Sequence, residues 1–227
     1  MKYKVLLFDA DETLLDFSKA ERSALKNAFS HAGISPDGNL CDEFSKINQS
    51  LWKAFENGEI EKSEIIKMRF KKTFEHFNIP YSPNIGIEAF YQEALSSEHA
   101  LIAHAEEVCR KLSKTYSMYI ITNGLYITQK RRLSDSGILL YFNGYFVSEN
   151  VGYQKPSKQY FDEVLKSIGS PSKKDILIIG DSCSSDINGG HISCIDTCWY
   201  NPKHLPMTAI APPTYTISDL LELYNIL

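Results

Sequence analysis

Short apolar runs alternate with helical patterns along much of this 227-residue chain. Five runs are rich in β-branched or aromatic residues, and most end at a turn signal or an acid, which is typical of buried strands. The five are Val5 to Phe8, Met118 to Ile121, Tyr145 to Val147, Ile176 to Ile179 and Asp196 to Tyr200. Helical patterns at Glu106 to Tyr116 and Pro156 to Ile168 lie between strands, and Thr214 to Ile217 and Ser218 to Leu227 predict an edge strand and a closing helix. The alternation predicts an α/β fold with a parallel, Rossmann-like sheet and helices on both faces.

Residues 18–97 interrupt this alternation, because they contain helical patterns and no strand-like run. A capping box at Ser18 to Glu21 opens the first of four predicted helices. Apolar residues at helical spacing mark the other three. These are Phe44, Ile47, Leu51 and Phe55; Ile66, Phe70, Phe74 and Phe77; and Ile87, Tyr91, Ala94 and Leu95. We therefore predict a catalytic core of residues 1–15 and 98–227 and an inserted helical cap of residues 16–97. Because the insertion follows the first strand, we expect it above the carboxyl ends of the sheet.

The composition of the chain limits the kinds of molecule that we expect it to bind. The apolar fraction of 43% and the charged fraction of 23% are ordinary for a globular protein. A net charge of -4 with scattered lysines argues against a nucleic acid polymer, so we expect a small-molecule partner. The N-terminal apolar run is too short for a signal peptide, and no window approaches the roughly 20 apolar residues of a membrane span. We expect a cytoplasmic protein without a membrane partner, either a monomer or a homodimer.

Polar residues stand where three of the predicted strands end. In chain order they are Asp9, Asp11, Thr122, Asn123 (followed by Gly124) and Asp181. Because the carboxyl ends of parallel strands meet at one edge of a sheet, we expect these side chains to converge there. Asp186 follows shortly afterwards, and Lys155 stands just before a predicted helix start and can point to the same place. Several carboxylates without a cation are costly to gather, and Mg2+ prefers carboxylate, water and phosphate oxygens. The sequence therefore predicts a Mg2+ site.

Such a site suits the cleavage of a phosphate ester. Asp9, as a carboxylate, can attack phosphorus to give an aspartyl phosphate, which divides one difficult substitution into two easier ones. Asp11 lies two residues further on, on the same side of an extended segment, and can protonate the leaving oxygen and later take a proton from water. The metal, Lys155, and donors from Thr122 and the backbone after it can balance the charge on the phosphate oxygens. We predict a Mg2+-dependent phosphomonoester hydrolase.

Four motifs resemble those of the haloacid dehalogenase-like hydrolases and occur in the same order. They are Asp9-x-Asp11-x-Thr13, Thr122-Asn123-Gly124, Lys155-Pro156, and Gly180-Asp181-Ser182 with Asp186. The resemblance spans nearly the whole chain and implies a Rossmann-like core with a helical cap. It further implies that Asp9, the Asp11 backbone carbonyl and Asp181 bind Mg2+, and that Asp186 supports the metal or Lys155. Members of the superfamily that cleave carbon-halogen bonds do not keep the second Asp, so Asp11 favours phosphoryl chemistry.

Longer stretches resemble one group within this superfamily, the YjjG-like noncanonical pyrimidine nucleotidases, which are nucleoside 5'-monophosphatases. These stretches are FDADETLLDF, GYQKP, GDSCSSDINGGHISCIDTCWYNP and IAPPTYTISDLLEL. The resemblance implies nucleoside monophosphate substrates, with pyrimidine nucleotides preferred. Two departures are visible: Glu12 stands where the common motif has Gly, and Ser193-Cys194 stand where Ala-Gly is usual. We expect the first to alter the turn into the cap.

The sequence leaves three other functions open. A sugar-phosphate phosphatase and a β-phosphoglucomutase-like enzyme would use the same catalytic groups, and no residue of the sequence decides against them. A receiver-like phospho-aspartate switch also combines clustered acids, Mg2+, a Thr and a Lys. Its phospho-acceptor Asp follows the middle strand, where this chain has none, and a helical insertion of about 80 residues is foreign to such a module. We therefore favour a turnover enzyme.

Overall fold

The chain folds into two compact units. The computed structural model describes residues 2–82 and 86–227, so Met1 and residues 83–85 of the predicted domain ranges lie outside the described residues. One unit, Met1–Phe17 with His99–Leu227, is called the sheet unit, and the other, Ser18–Glu98, is called the helical unit. Within the described residues, no helix is both long enough and apolar enough to cross a membrane.

The sheet unit is built on a six-stranded parallel sheet. Its strands are β1 (Val5–Asp9), β2 (Ser117–Thr122), β3 (Gly144–Val147), β4 (Ile176–Gly180), β5 (Asp196–Tyr200) and β6 (Tyr215–Ile217). Their order is β3-β2-β1-β4-β5-β6, and every neighbouring pair is parallel. The predicted Rossmann-like fold is confirmed, and each of these strands begins and ends within one residue of its predicted position.

The central strand β1 is buried on both faces of the sheet. Leu6 and Phe8 belong to one apolar cluster, while Val5 and Leu7 belong to another. Because successive side chains of a strand point to opposite faces, this alternation shows that each face of the sheet has its own core. A strand that is buried on both faces has a continuous apolar sequence, and this is why the position of β1 could be predicted to within one residue.

Helices account for most of the remaining regular structure. Those of the insertion are α1 (Phe17–His31), α2 (Gly38–Glu56), α3 (Lys62–His76) and α4 (Ile87–Ser97). Those of the sheet unit are α5 (Ala105–Leu112), α6 (Tyr126–Asp135), α7 (Ser148–Val151), α8 (Lys158–Ser167) and α9 (Asn188–Ser193). The predicted closing helix is present as a 3₁₀ helix, Leu220–Asn225, with a capping box between Asp219 and Glu222.

The first helix does not begin with the predicted capping box. Helix α1 starts at Phe17, so Ser18 already lies inside it. Glu21 is buried and accepts hydrogen bonds from Ser45 Oγ at 2.6 Å and Asn48 Nδ2 at 2.7 Å. The Asn48 side chain in turn accepts from the buried Arg69 at 3.2 Å. The Glu21 carboxylate, which we predicted to cap the start of the helix, is therefore bound by side chains from elsewhere in the helical unit.

The two chain segments that flank the insertion are hydrogen bonded to each other. The amide of Asp16 donates to the carbonyl of Ala100 at 2.9 Å, and the amide of Ile102 donates to the carbonyl of Leu14 at 2.9 Å. Between these bonds, Leu15 forms an antiparallel bridge with Leu101. The chain therefore leaves the sheet unit and returns to it at one place.

Candidate active site

The predicted site residues meet at the carboxyl edge of the three central strands. Asp9 ends β1, Thr122 ends β2, and Asp181 follows the last residue of β4. Because β1 lies between β2 and β4 and all three run in the same direction, their ends are adjacent. One carboxylate oxygen from each of Asp9, Asp181 and Asp186 lies within 4.8 Å of the others. The structure thus brings together three acids that are separated by up to 177 positions in the sequence.

Lys155 provides the positive charge next to these acids. The side chain is buried, and its Nζ donates to Asp9 Oδ1 at 2.5 Å, to Asp186 Oδ1 at 2.7 Å and to the Ile121 carbonyl at 3.2 Å. Asn123 fixes the backbone of this residue from both sides. Its Nδ2 donates to the Lys155 carbonyl and its Oδ1 accepts from the Lys155 amide, each at 2.9 Å. The Asn123 side chain therefore positions Lys155 in this structure.

Asp186 is held in place by a local distortion of the helix after β4. It lies in one turn of π-helix, Cys183–Ile187, and is completely buried. Its Oδ2 accepts a hydrogen bond from the Ser182 amide at 3.1 Å. Gly180 makes this packing possible, since a Cβ atom there would lie 2.2 Å from Asp186 Oδ2. Only glycine at the end of β4 lets the Asp186 side chain lie so close to the strand, and from this position Asp186 reaches Lys155.

The electrostatics of this cluster reflect acids held away from water. Burial raises the pKa of Asp9 to about 8, even though the Lys155 ammonium nearby lowers it. Burial also raises the pKa of Asp181, and the charges of Asp9 and Asp186 raise it further. For Lys155, burial alone would lower the pKa, but the Asp186 and Asp9 carboxylates outweigh it and the pKa is raised. The buried carboxylates are therefore unfavourable as anions unless another cation joins Lys155.

The donor set fits a hard divalent cation. When ionised, the three carboxylates and the single ammonium leave a net charge of -2 on the cluster, which one divalent ion neutralises. Carboxylate oxygens are the ligands that Mg2+ prefers, with the remaining positions taken by water and by phosphate oxygens of a substrate. The Thr13 hydroxyl donates to Asp181 Oδ1 at 3.5 Å, and the Trp199 indole donates to the Asp181 carbonyl at 2.8 Å. These contacts orient Asp181 toward the cluster.

The Asp11 side chain has partners of its own. Its carboxylate is 29% exposed and forms an ion pair through Oδ1 with the buried Arg132. Its Oδ2 accepts from Gln129 Nε2 at 2.6 Å, and the same nitrogen donates to Thr122 Oγ1 at 2.9 Å. Sequence reasoning missed both Gln129 and Arg132. The buried face of α6 is made of Thr128, Gln129, Arg132 and Leu133, and this polar set carries no apolar periodicity that would have marked it in the sequence.

Glu12 adopts the left-handed backbone conformation, with φ of 57°. This region favours glycine, which is the residue that the resembling motif has at this position. The Glu12 carboxylate accepts a hydrogen bond from Lys203 at 3.2 Å, which lies in the loop after β5. Glu12 thus carries a side chain in a backbone conformation that glycine adopts without strain.

Comparison with known proteins identifies the family. Residues 3–191 match the family model of the haloacid dehalogenase-like hydrolases. The HAD-hydrolase YfnB of Bacillus subtilis (strain 168) is 40% identical over 226 residues, covering 100% of this chain and 96% of YfnB. A crystal structure of YfnB bound to magnesium has a TM-score of 0.94 and covers 100% of this chain and 99% of that chain.

Two further relatives are named for an activity. The pyrimidine 5'-nucleotidase PynA of Streptococcus pneumoniae (strain ATCC BAA-255 / R6) is 37% identical over 226 residues, covering 98% of this chain and 95% of PynA. The pyrimidine 5'-nucleotidase YjjG of Escherichia coli (strain K12) is 32% identical over 227 residues, covering 100% of this chain and 99% of YjjG. The resemblance read from the motifs, including its YjjG-like group, is confirmed. This chain belongs to the haloacid dehalogenase-like hydrolase family.

Proposed function

We propose that this chain is a Mg2+-dependent phosphomonoester hydrolase that forms an aspartyl phosphate on Asp9 and prefers pyrimidine nucleoside 5'-monophosphates. The observation that carries the proposal is the arrangement around Asp9. This carboxylate lies against the Lys155 ammonium and two further acids, at the edge of the sheet where Asp11 also stands. This grouping supports the roles of nucleophile, cation, metal ligands and acid-base residue that the proposal assigns to these side chains.

Asp9, Asp181 and the backbone carbonyl of Asp11 would hold the Mg2+ ion, with Asp186 supporting it from the position that it shares with Lys155. The acidic cluster with its net charge of -2 supports this assignment. When bound, Mg2+ neutralises the acids and draws negative charge from the phosphate oxygens of the substrate. Lys155 adds a second positive charge next to the nucleophile, and the Thr122 hydroxyl and the amides after it offer hydrogen bonds to the phosphate.

Hydrolysis then proceeds in two displacements at phosphorus. A carboxylate oxygen of Asp9 attacks the phosphorus, the bond from phosphorus to the ester oxygen breaks, and Asp11 gives its proton to the departing alcohol. Water attacks the phosphorus of the aspartyl phosphate and gives a proton to Asp11, while the bond from phosphorus to Asp9 breaks. Inorganic phosphate leaves, and both acids return to their starting states.

The preference for pyrimidine nucleotides is supported by the relatives PynA and YjjG, which are both named pyrimidine 5'-nucleotidases and match this chain over nearly its whole length. We further propose that the helical unit, Ser18–Glu98, is the cap domain that selects the substrate. All the residues proposed for the chemistry lie in the sheet unit, so we assign the selection of the substrate to the inserted segment.

A panel of phosphate esters tests the proposal. Phosphate release is measured with Mg2+ and with EDTA for UMP, dUMP, dTMP, purine nucleotides, sugar phosphates and p-nitrophenyl phosphate. We expect many turnovers, loss of activity with EDTA, and the highest kcat/KM with the pyrimidine nucleotides. Faster cleavage of sugar phosphates would remove the nucleotidase assignment, and a single stoichiometric release would indicate a phospho-aspartate switch. The Asp9→Asn variant serves as the control without a nucleophile.

A further inference from the structure

We propose that Arg132 and Gln129 are positioning residues that hold the Asp11 carboxylate in the orientation from which it exchanges a proton with the substrate. The inference rests on the proposed function, in which Asp11 is the acid-base residue. Neither residue belongs to the four motifs, and both lie on α6, which begins three residues after Asn123. Their contacts meet on the two oxygens of one carboxylate.

Arg132 fixes one oxygen of Asp11. The whole residue is 1% exposed, and its Nη1 donates to Asp11 Oδ1 and, at 3.4 Å, to Gln129 Oε1. The guanidinium also lies 5.7 Å from the centre of the Phe17 ring. A buried cation is tolerated only when it is paired and hydrogen bonded, so the position of Arg132 depends on that of Asp11 and the reverse. The planar guanidinium sets the direction of the carboxylate as well as its charge.

Gln129 fixes the other oxygen and connects it to the phosphate side of the site. Its Nε2 lies 2.6 Å from Asp11 Oδ2 and 2.9 Å from Thr122 Oγ1. This route exists because residue 124 is glycine. A Cβ atom there would lie 2.5 Å from Gln129 Nε2 and 2.6 Å from its Cγ. The third residue of the Thr122-Asn123-Gly124 motif thus makes room for the side chain that joins Thr122 to Asp11.

The two contacts differ in strength, which gives each residue a distinct task. The Arg132 contact joins two opposite full charges and gains their Coulomb attraction, whereas the Gln129 contact joins a neutral donor to the carboxylate. When Asp11 turns one oxygen toward the substrate, the bond from the neutral Gln129 to Oδ2 is therefore the one exchanged. The bond from Arg132 to Oδ1 is kept and acts as the pivot. Loss of Arg132 should then damage proton transfer more than loss of Gln129 does.

The leaving group of the ester provides a readout that a purely structural role would not change. We would measure the first-turnover rate of alcohol release for dTMP, whose leaving oxygen needs a proton, and for 2,4-dinitrophenyl phosphate, whose leaving oxygen does not. For Arg132→Met we expect a loss of about 10- to 100-fold with dTMP and of less than about 3-fold with the activated ester. Gln129→Leu should show the same pattern with a smaller loss. The neighbouring Arg131, exposed and paired with Asp135, gives the control Arg131→Met, which should keep both rates.

A double variant separates positioning from independent action. If Arg132 works through Asp11, adding Arg132→Met to Asp11→Asn should lower the dTMP rate by less than about 3-fold more. Equal losses of Arg132→Met with both esters, or a full further loss in the Asp11→Asn background, would overturn the inference. Thermal melting checks folding, and if Arg132→Met does not fold, Arg132→Lys and Gln129→Leu decide by the same comparison. Equal losses with both esters for Asp11→Asn alone would instead remove Asp11 from the proposed mechanism, and the inference with it.

Discussion

The ammonium nitrogen of Lys155 lies 2.5 Å from the Oδ1 oxygen of Asp9, and both side chains are buried. Asp9 ends the central strand, while Lys155 follows a loop 146 positions later and is fixed there by the Asn123 amide. A buried ion pair of this kind is stable only when both partners and their hydrogen bonds are present, because either ion alone would be a buried charge without compensation. Stability and chemistry of the site therefore depend on the same contacts.

Removing the ammonium should destabilise the protein and increase its dependence on a metal. For Lys155→Met without Mg2+, we expect the free energy of unfolding to fall by about 3–5 kcal/mol, because Asp9 and Asp186 lose their buried partner. Mg2+ should raise the Tm of this variant more than that of the wild type, since the charge of the cluster becomes more negative. Calorimetry with EDTA and with Mg2+ measures both effects. The control is Lys158→Met, which removes an exposed lysine paired with Asp162; equal stability of the two variants would contradict the prediction.

A methyl group at position 180 should displace Asp186. In Gly180→Ala, the new Cβ would lie 2.2 Å from Asp186 Oδ2, so the acid or the strand end has to move. We expect a loss of about 1–3 kcal/mol of stability, and a fall in kcat because Asp186 no longer holds Lys155. Urea unfolding and steady-state kinetics provide the measurements.

The matched control for that substitution is Gly38→Ala, at the first residue of α2, where an added Cβ meets no atom within 4 Å. It should leave activity unchanged and stability unchanged or slightly higher, because alanine reduces the freedom of the unfolded chain. If both alanine variants behave alike, Asp186 does not depend on the close approach at Gly180.

Glycine should suit position 12 better than alanine does. Glu12→Ala removes the bond to Lys203 and keeps a side chain in the left-handed conformation, whereas Glu12→Gly removes the bond and relieves the backbone. We expect the glycine variant to be more stable than the alanine variant by about 1 kcal/mol in urea unfolding. Lys203→Met measures the exposed ion pair alone, which should contribute about 1 kcal/mol or less. A ranking with alanine at or above glycine would show that residue 12 is not strained.

The stability of the helical unit should depend on pH through Glu21. Burial raises the pKa of this carboxyl above its ordinary value of 4.5, although Ser45 and Asn48 donate hydrogen bonds to it. Between the unfolded and the folded pKa, the folded protein therefore binds more protons than the unfolded chain does. Its stability falls as the pH rises through that window and levels off above the folded pKa.

Glu21→Gln isolates this effect, because the variant keeps the other titrating groups and lacks only the Glu21 carboxyl. The free energy of unfolding of the wild type minus that of Glu21→Gln should decrease from pH 4.5 upward. Urea unfolding at a series of pH values gives this difference directly. A difference that grows with pH would mean that the buried network favours the ionised form of Glu21.

The parts of the fold that could be predicted are those whose signal is local. A strand buried on both faces has to be apolar throughout, so β1 and β4 were readable, and the acids at their ends followed from the direction of a parallel sheet. Gln129 and Arg132 escaped because a polar helix face has no apolar periodicity, and only tertiary structure shows that it is buried. The Ser18 to Glu21 capping box is also a local signal, but here a tertiary contact overrides it: Asn48, 27 positions away, donates a hydrogen bond to the Glu21 carboxylate.

The antiparallel bridge between Leu15 and Leu101 affects how such an enzyme can change over evolutionary time. The chain leaves the sheet unit and returns to it at neighbouring positions. An inserted segment of any length can therefore be exchanged there without altering the register of the sheet, provided that its two ends remain a few ångströms apart. The cost of closing a loop grows only slowly with its length, by about 0.6 kcal/mol for each doubling. Replacement of the insertion by another folded module is therefore thermodynamically inexpensive, and Asp9 and Lys155 would keep their places in the sheet unit.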